Sequence, residues 1–217
     1  MNYQIKYSIE NIKASKKELS IQIFLVFVLP ITLMHLGVIE LKDRVWVLAI
    51  IVGILILVLE KEKWTNAMLG LNFYRIKKFL IPYTIFTLSA IVFINVFGHK
   101  MGYEELSKWW KYDHFIYGFF IVSALQEVGY RAYLIPALGK ITSKPVLVVL
   151  INAIFFTYLH TIFPNPIVVL PMAFVGGLGF AIMYMKYPSL PLIIISHSII
   201  NFFAVLYGFF VIPGVTY

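Results

Sequence analysis

The sequence predicts an all-α fold, a polytopic transmembrane helical bundle of about seven spans with a short N-terminal interfacial helix. Three observations carry that prediction. The 217 residues are 61% hydrophobic and 13% charged, where a soluble domain carries about 25% charged residues. Mean hydropathy is +0.88. The apolar residues also fall into runs close to the roughly 20 residues that one membrane crossing needs, with lysines gathered in the short segments between them. A solvated surface cannot be built from this composition, so the chain reads as an integral membrane protein.

The N-terminal helix comes first. Ile5, Ile9 and Ile12 recur at helical spacing among Lys6, Lys13, Lys16 and Lys17, the pattern of a helix lying in the membrane interface. No small-residue cleavage site follows, so the segment is expected to be retained. The candidate spans are 21–40, 45–60, 79–98, 114–137, 145–163, 166–185 and 189–212. Pro164, Asn165 and Pro166 make a tight turn between the fifth and sixth. Pro30, Pro82 and Pro171 fall inside spans, where neighbouring groups can satisfy the freed backbone. No composition shift marks a hinge, so residues 1–217 read as one transmembrane domain with a motif-bearing core at about 114–212.

Orientation follows from the cations. With the N-terminus inside, the inner face collects the four N-terminal lysines, Lys61, Lys63, Arg75, Lys77, Lys78, Lys140, Lys144 and Lys186, making twelve. The outer face takes five: Lys42, Arg44, Lys100, Lys108 and Lys111. This predicts a cytoplasmic N-terminus in a multi-pass plasma-membrane protein. The same distribution explains the net charge of +8 without nucleic acid. The absence of cysteine removes disulfides, thiolate metal sites and cysteine-protease chemistry. Ala173, Gly177 and Ala181, four residues apart, read as a helix-packing strip. No preceding strand or suitably spaced lysine makes the glycines a phosphate loop.

Ionisable groups inside spans are costly and point to function. Glu127 and Arg131 lie one helical turn apart in the fourth span, beside the neutral Gln126. His160 closes the fifth span, His197 sits within the seventh with Asn201 four residues on, and Asn152 lies in the fifth. The Glu127–Arg131 pair alone reads as a structural lock. Two histidines on different helices and a Gln-Glu doublet on a third suggest a water-holding cavity.

These residues carry a resemblance. Gln126-Glu127-Val128-Gly129-Tyr130-Arg131 resembles the EExxxR motif of the CAAX protease and bacteriocin-processing family, which includes the Ras-converting CAAX endopeptidases and the bacterial Abi proteins. Phe156 to His160 is similar to its FxxxH motif, and His197 to Asn201 to its HxxxN/D motif. The likeness covers roughly 120–205. It implies an intramembrane glutamate peptidase without a cofactor, acting on a peptide or membrane-anchored protein. Position 126 would hold the glutamate that activates water together with His160. His197 and Asn201 would stabilise the oxyanion, a contribution of roughly 3–4 kcal/mol for one such donor. Glu127 and Arg131 would support the site, and Phe156 would pack its wall.

The chain departs from the family at that first glutamate. Gln126 keeps the shape but cannot accept a proton at neutral pH, so the chain as written is expected to be inactive. The leading account is an engineered, near-isosteric replacement. A natural non-catalytic binder, such as a bacteriocin-immunity protein, and a transfer of the base role to Glu127 are the alternatives. A zinc site is disfavoured because HExxH spacing is absent and Gln126 would be a poor ligand. Ser196 adjoins His197 but cannot face it, and a transporter would call for inverted repeats. The Ile, Phe, Tyr and Lys content has a bacterial character, which favours a peptide precursor over a prenylated protein.

Overall fold

The computed structural model describes residues 2–71, 73–109 and 118–210. A helix stands in each of the seven expected runs. The first residues of the expected fourth span (114–117), the last of the seventh (211–212) and Lys111 lie outside the described residues.

Helix α1 spans Tyr3–Asn11, capped by the Asn2 side chain, which accepts from the Gln4 backbone at 3.0 Å. Helix α2 runs Lys16–His35. It starts in a capping box in which Ser15 and Glu18 satisfy each other's backbone N–H. Helix α3 spans Arg44–Lys61 and α4 spans Ile76–Lys100. Helix α5 covers 119–141, α6 is Pro145–Leu159 with a 3₁₀ turn His160–Ile162, α7 is Pro166–Lys186 and α8 is Leu190–Leu206. Among the described residues, four helices have the length and apolarity to cross a membrane: α2, α4 with the turn before it, α6 with the turn after it, and α7. Seven spans are expected from the sequence; seven helical runs are present, of which these four meet the length and apolarity of a span. Helix α8 is apolar but shorter, α3 carries Arg44, Glu60 and Lys61 at its ends, and α5 holds Glu127 and Arg131. The first run begins and ends earlier than expected, because the capping box starts α2 at Lys16 and the chain turns after Leu36.

Two helices widen into π-helical turns, α2 at Phe24–Val28 and α5 at Val128–Leu134. Each lies just before a proline, Pro30 or Pro136. A proline ring clashes with the carbonyl four residues back, and the wide turn relieves that; in α2 the Leu29 N–H reaches instead to Phe24. Proline alone does not dictate the turn, since Pro82 and Pro171 sit in helices that stay α-helical. In α5 neighbouring side chains hold the altered backbone. The Asn152 amide donates to the Tyr130 carbonyl at 2.6 Å, and the Tyr130 hydroxyl donates to the Phe155 carbonyl at 3.2 Å.

Helices α6 and α7 approach closely along the small-residue strip. A Cβ on Gly177 would stand 3.1 Å from the Ala153 Cα, and Ala173 and Ala181 are buried. The packing role expected for that strip is what the structure displays. One apolar core extends from Ile5 in α1 to Ile193 in α8. Helix α1 exists as expected, but it turns Ile5 and Ile12 into that core. Gln4 and Ser8 bond to the backbone of Ala67 and Met68. It therefore closes one end of the bundle together with the 62–71 loop.

Candidate active site

The site is built around α5, at the point where its α-helical geometry gives way to the wide turn. Glu127 and Arg131 are both fully buried, with the Glu127 Oε1 3.3 Å from the Arg131 Nη1. That contact is an ion pair without hydrogen-bond alignment, because the Arg131 Nη1 has no hydrogen-bond partner among the described residues. The short bond goes elsewhere. The His197 Nδ1 donates to the Glu127 Oε1 at 2.6 Å. Arg131 makes one long hydrogen bond, from Nη2 to the Gly177 carbonyl at 3.5 Å. Its guanidinium carbon lies 4.6 Å from the Phe156 ring centroid and 5.2 Å from that of Phe180. Aromatic faces of this kind attract a cation electrostatically, so rings as well as the carboxylate hold the buried charge.

The two histidines share a hydrogen-bonding logic. The His160 Nδ1 donates to the carbonyl of Phe156, one turn back, at 2.7 Å. A carbonyl only accepts, so the proton is fixed on Nδ1 and Nε2 of the neutral ring is an acceptor. The carboxylate of Glu127 does the same for His197. Its ring is packed beside Phe180, with centroids 4.5 Å apart, and Phe156 at 5.6 Å. Both histidines line one cavity of about 290 Å³, which Asn201 and Phe210 also border. A second cavity of about 120 Å³ is bordered by Gln126, His160 and Asn201. His160, Asn201 and Phe210 therefore stand between the two spaces.

Gln126 is buried, and its Oε1 has no hydrogen-bond partner among the described residues. Asn201 is half-buried and donates from Nδ2 to the Ser123 Oγ at 3.2 Å. That bond ties the HxxxN helix to the helix that carries Gln126. Ser196 faces α4, where its hydroxyl pairs with Thr87 at 2.6 Å. Among the described residues no group of three or more His, Asp, Glu or Cys is arranged to hold a metal ion.

All six residues singled out in the sequence thus gather at one place: Gln126, His160 and Asn201 on one cavity, His160, His197 and Asn201 on the other, and Glu127 and Arg131 behind His197. Sequence reasoning missed the Glu127–His197 bond, the support from Ser123, and the part played by Phe180. The first two are contacts across helices 70 and 78 residues apart in the chain, and no local spacing encodes them. Phe180 carried no signal beyond being aromatic.

Fold and site together define a helical membrane protein with a buried histidine–carboxylate–arginine cluster whose histidine borders a cavity. Residues 108–203 match the family model described as type II CAAX prenyl endopeptidase Rce1-like. That stretch contains all six site residues, and the match is to the CAAX protease and bacteriocin-processing family that its motifs resemble. The family's activity is proteolytic. No curated protein and no solved structure matches the chain. Helices α1 to α4 lie outside the matched stretch.

Proposed function

We propose that this chain is the scaffold of an intramembrane endopeptidase that binds an extended peptide or membrane-anchored segment at Gln126, His160, His197 and Asn201. The observation that carries the reading is the pair of histidines on a shared cavity, each with Nδ1 tied to an acceptor and Nε2 left as a lone-pair nitrogen. A peptide bond offers a carbonyl to attack and an N–H to anchor. The unpartnered Gln126 Oε1 suits such an N–H.

In the hydrolytic step, a water oxygen attacks the peptide carbonyl carbon and its proton passes to a base at position 126 beside His160. The oxyanion is met by His197, when protonated, and by the second N–H of the Asn201 amide. Collapse breaks the C–N bond, and the proton moves to the leaving amine. An amide at position 126 cannot take the first proton, so the chain as written binds without turning over. Whether that amide arose by experiment or by descent does not alter this chemistry.

The test compares the chain with its Gln126→Glu variant, in detergent with a panel of peptides, scored for cleavage by mass spectrometry. Cleavage only by the variant is the expected result. Equal cleavage by both would move the base to His197 backed by Glu127, for which the 2.6 Å bond provides the geometry. A second reading, a non-catalytic peptide binder or immunity protein, is favoured by Gln126 itself. It predicts peptide binding by both forms and cleavage by neither.

A further inference from the structure

We propose that the site is served from the membrane face opposite the N-terminal, basic end, so that its substrates are peptide segments on the non-cytoplasmic side. This rests on the peptidase reading for the word substrate, and on three separate observations for the direction of access.

The first is charge. Hydrogen bonds from Asn2 to the Lys186 carbonyl (3.0 Å), from Arg75 to Gln4 (3.2 Å) and from the Leu190 N–H to the Gly70 carbonyl (3.0 Å) bring α1, the 62–76 segment and the α7–α8 turn to one end. That end holds twelve cations against four acids, Glu10, Glu18, Glu60 and Glu62, and so accounts for the entire formal net charge of +8. The opposite end is assembled by contacts such as the Leu106 N–H to the Leu206 carbonyl at 2.7 Å and Asn165 to the Tyr103 hydroxyl at 3.0 Å. Its described cations, Lys42, Arg44, Lys100 and Lys108, are matched in number by Glu40, Asp43, Glu104 and Glu105. Basic segments stay on the cytoplasmic side during insertion.

The second observation is closure. At the basic end α1 and the loop after α3 bury Ile5, Ile12, Leu19 and Met68 in the main core, and none of these four residues borders either cavity at the histidines. The third is depth. His160 ends α6 at the neutral end, directly before Phe163 and the 164–166 turn. Asn201 is five residues from the end of α8 at Leu206, about 8 Å by helix rise, against eleven residues, about 16 Å, from Leu190. The cavity that Gln126 borders is also lined by Arg44 and Phe163, both at the neutral end.

The cysteine-free sequence makes the experiment direct. Single variants Glu104→Cys and Ser143→Cys, both at exposed positions, are expressed in bacterial cells and treated with a membrane-impermeant maleimide before and after permeabilisation. Labelling of Glu104→Cys in intact cells, with Ser143→Cys labelled only after permeabilisation, is expected. The reverse pattern, or labelling of both in intact cells, overturns the orientation without touching the peptidase reading, which the detergent assay tests separately. In spheroplasts carrying Gln126→Glu, a peptide cleaved in detergent should also be cleaved when added outside. Failure there, with correct labelling, overturns access from that face.

Discussion

Helices α3 and α5 are both apolar segments of span-like length, and they occupy opposite positions in the molecule. Helix α3 has no charged residue between Val45 and Leu59, yet it buries only Val52, Leu55 and Leu59 and leaves Ile50, Ile54 and Leu57 exposed. Helix α5 carries a glutamate and an arginine in mid-segment, and every residue from Gly129 to Gly139 is buried. In a membrane, apolarity marks the surface that meets lipid, because lipid is as apolar as leucine and exerts no pressure to hide it. Helices of mixed polarity have to be enclosed by protein. Of the two, the less hydropathic is the one around which the site is built.

Substitutions that attack this contrast differ in expected size. The largest effect is expected at Arg131. Arg131→Met leaves Glu127 buried without its guanidinium, and removing one partner of a buried pair costs roughly 3–5 kcal/mol; thermal unfolding in detergent should shift sharply downward. Replacing both members, Glu127→Gln with Arg131→Met, should recover much of that loss, since no uncompensated charge remains. If the double variant is no better than the single one, the enclosure of α5 depends on something other than charge pairing.

An intermediate effect is expected at the α6–α7 contact. Gly177→Val places methyl groups against the Ala153 backbone, and overpacking of this kind costs roughly 1–3 kcal/mol. Because Gly177 also accepts the Arg131 hydrogen bond, the same variant should weaken peptide binding. The smallest effect is expected on α3, where Leu57 is 66% exposed. Leu57→Ala should change stability by no more than about 0.5 kcal/mol. A loss as large as that of Gly177→Val would show that α3 is packed against something in the membrane and would undo the comparison.

How much of this was legible follows from the same distinction. The helical runs were legible because twenty apolar residues have few alternatives in a bilayer. The six polar site residues were legible because a charge or amide in such a run is an exception that calls for a reason. The wide turn in α5 was not legible. Pro136 hints at it, but Pro82 and Pro171 carry the same hint without the result, and the deciding contact comes from Asn152 on another helix. The inward face of α1 was also hidden. The same isoleucine spacing serves a lipid interface or a protein core, and the placement of the 62–71 loop and Gly139 against it decides between them.

The wide turn sets the phase of α5. Upstream of it stand Gln126 and Glu127; downstream stands Gly139, whose bare Cα lets Ile9 of α1 press against the helix. A π-helical turn takes in an extra residue compared with an α-helical one. Deleting a single residue from 132–134 would therefore rotate everything after it by about 100°. Gly139 would swing away from Ile9, and the seal at the basic end would lose its seat while the motif upstream kept its spacing. The geometry of the candidate site at one end and the seating of α1 at the other are thus two readings of one angular offset, and neither can drift alone.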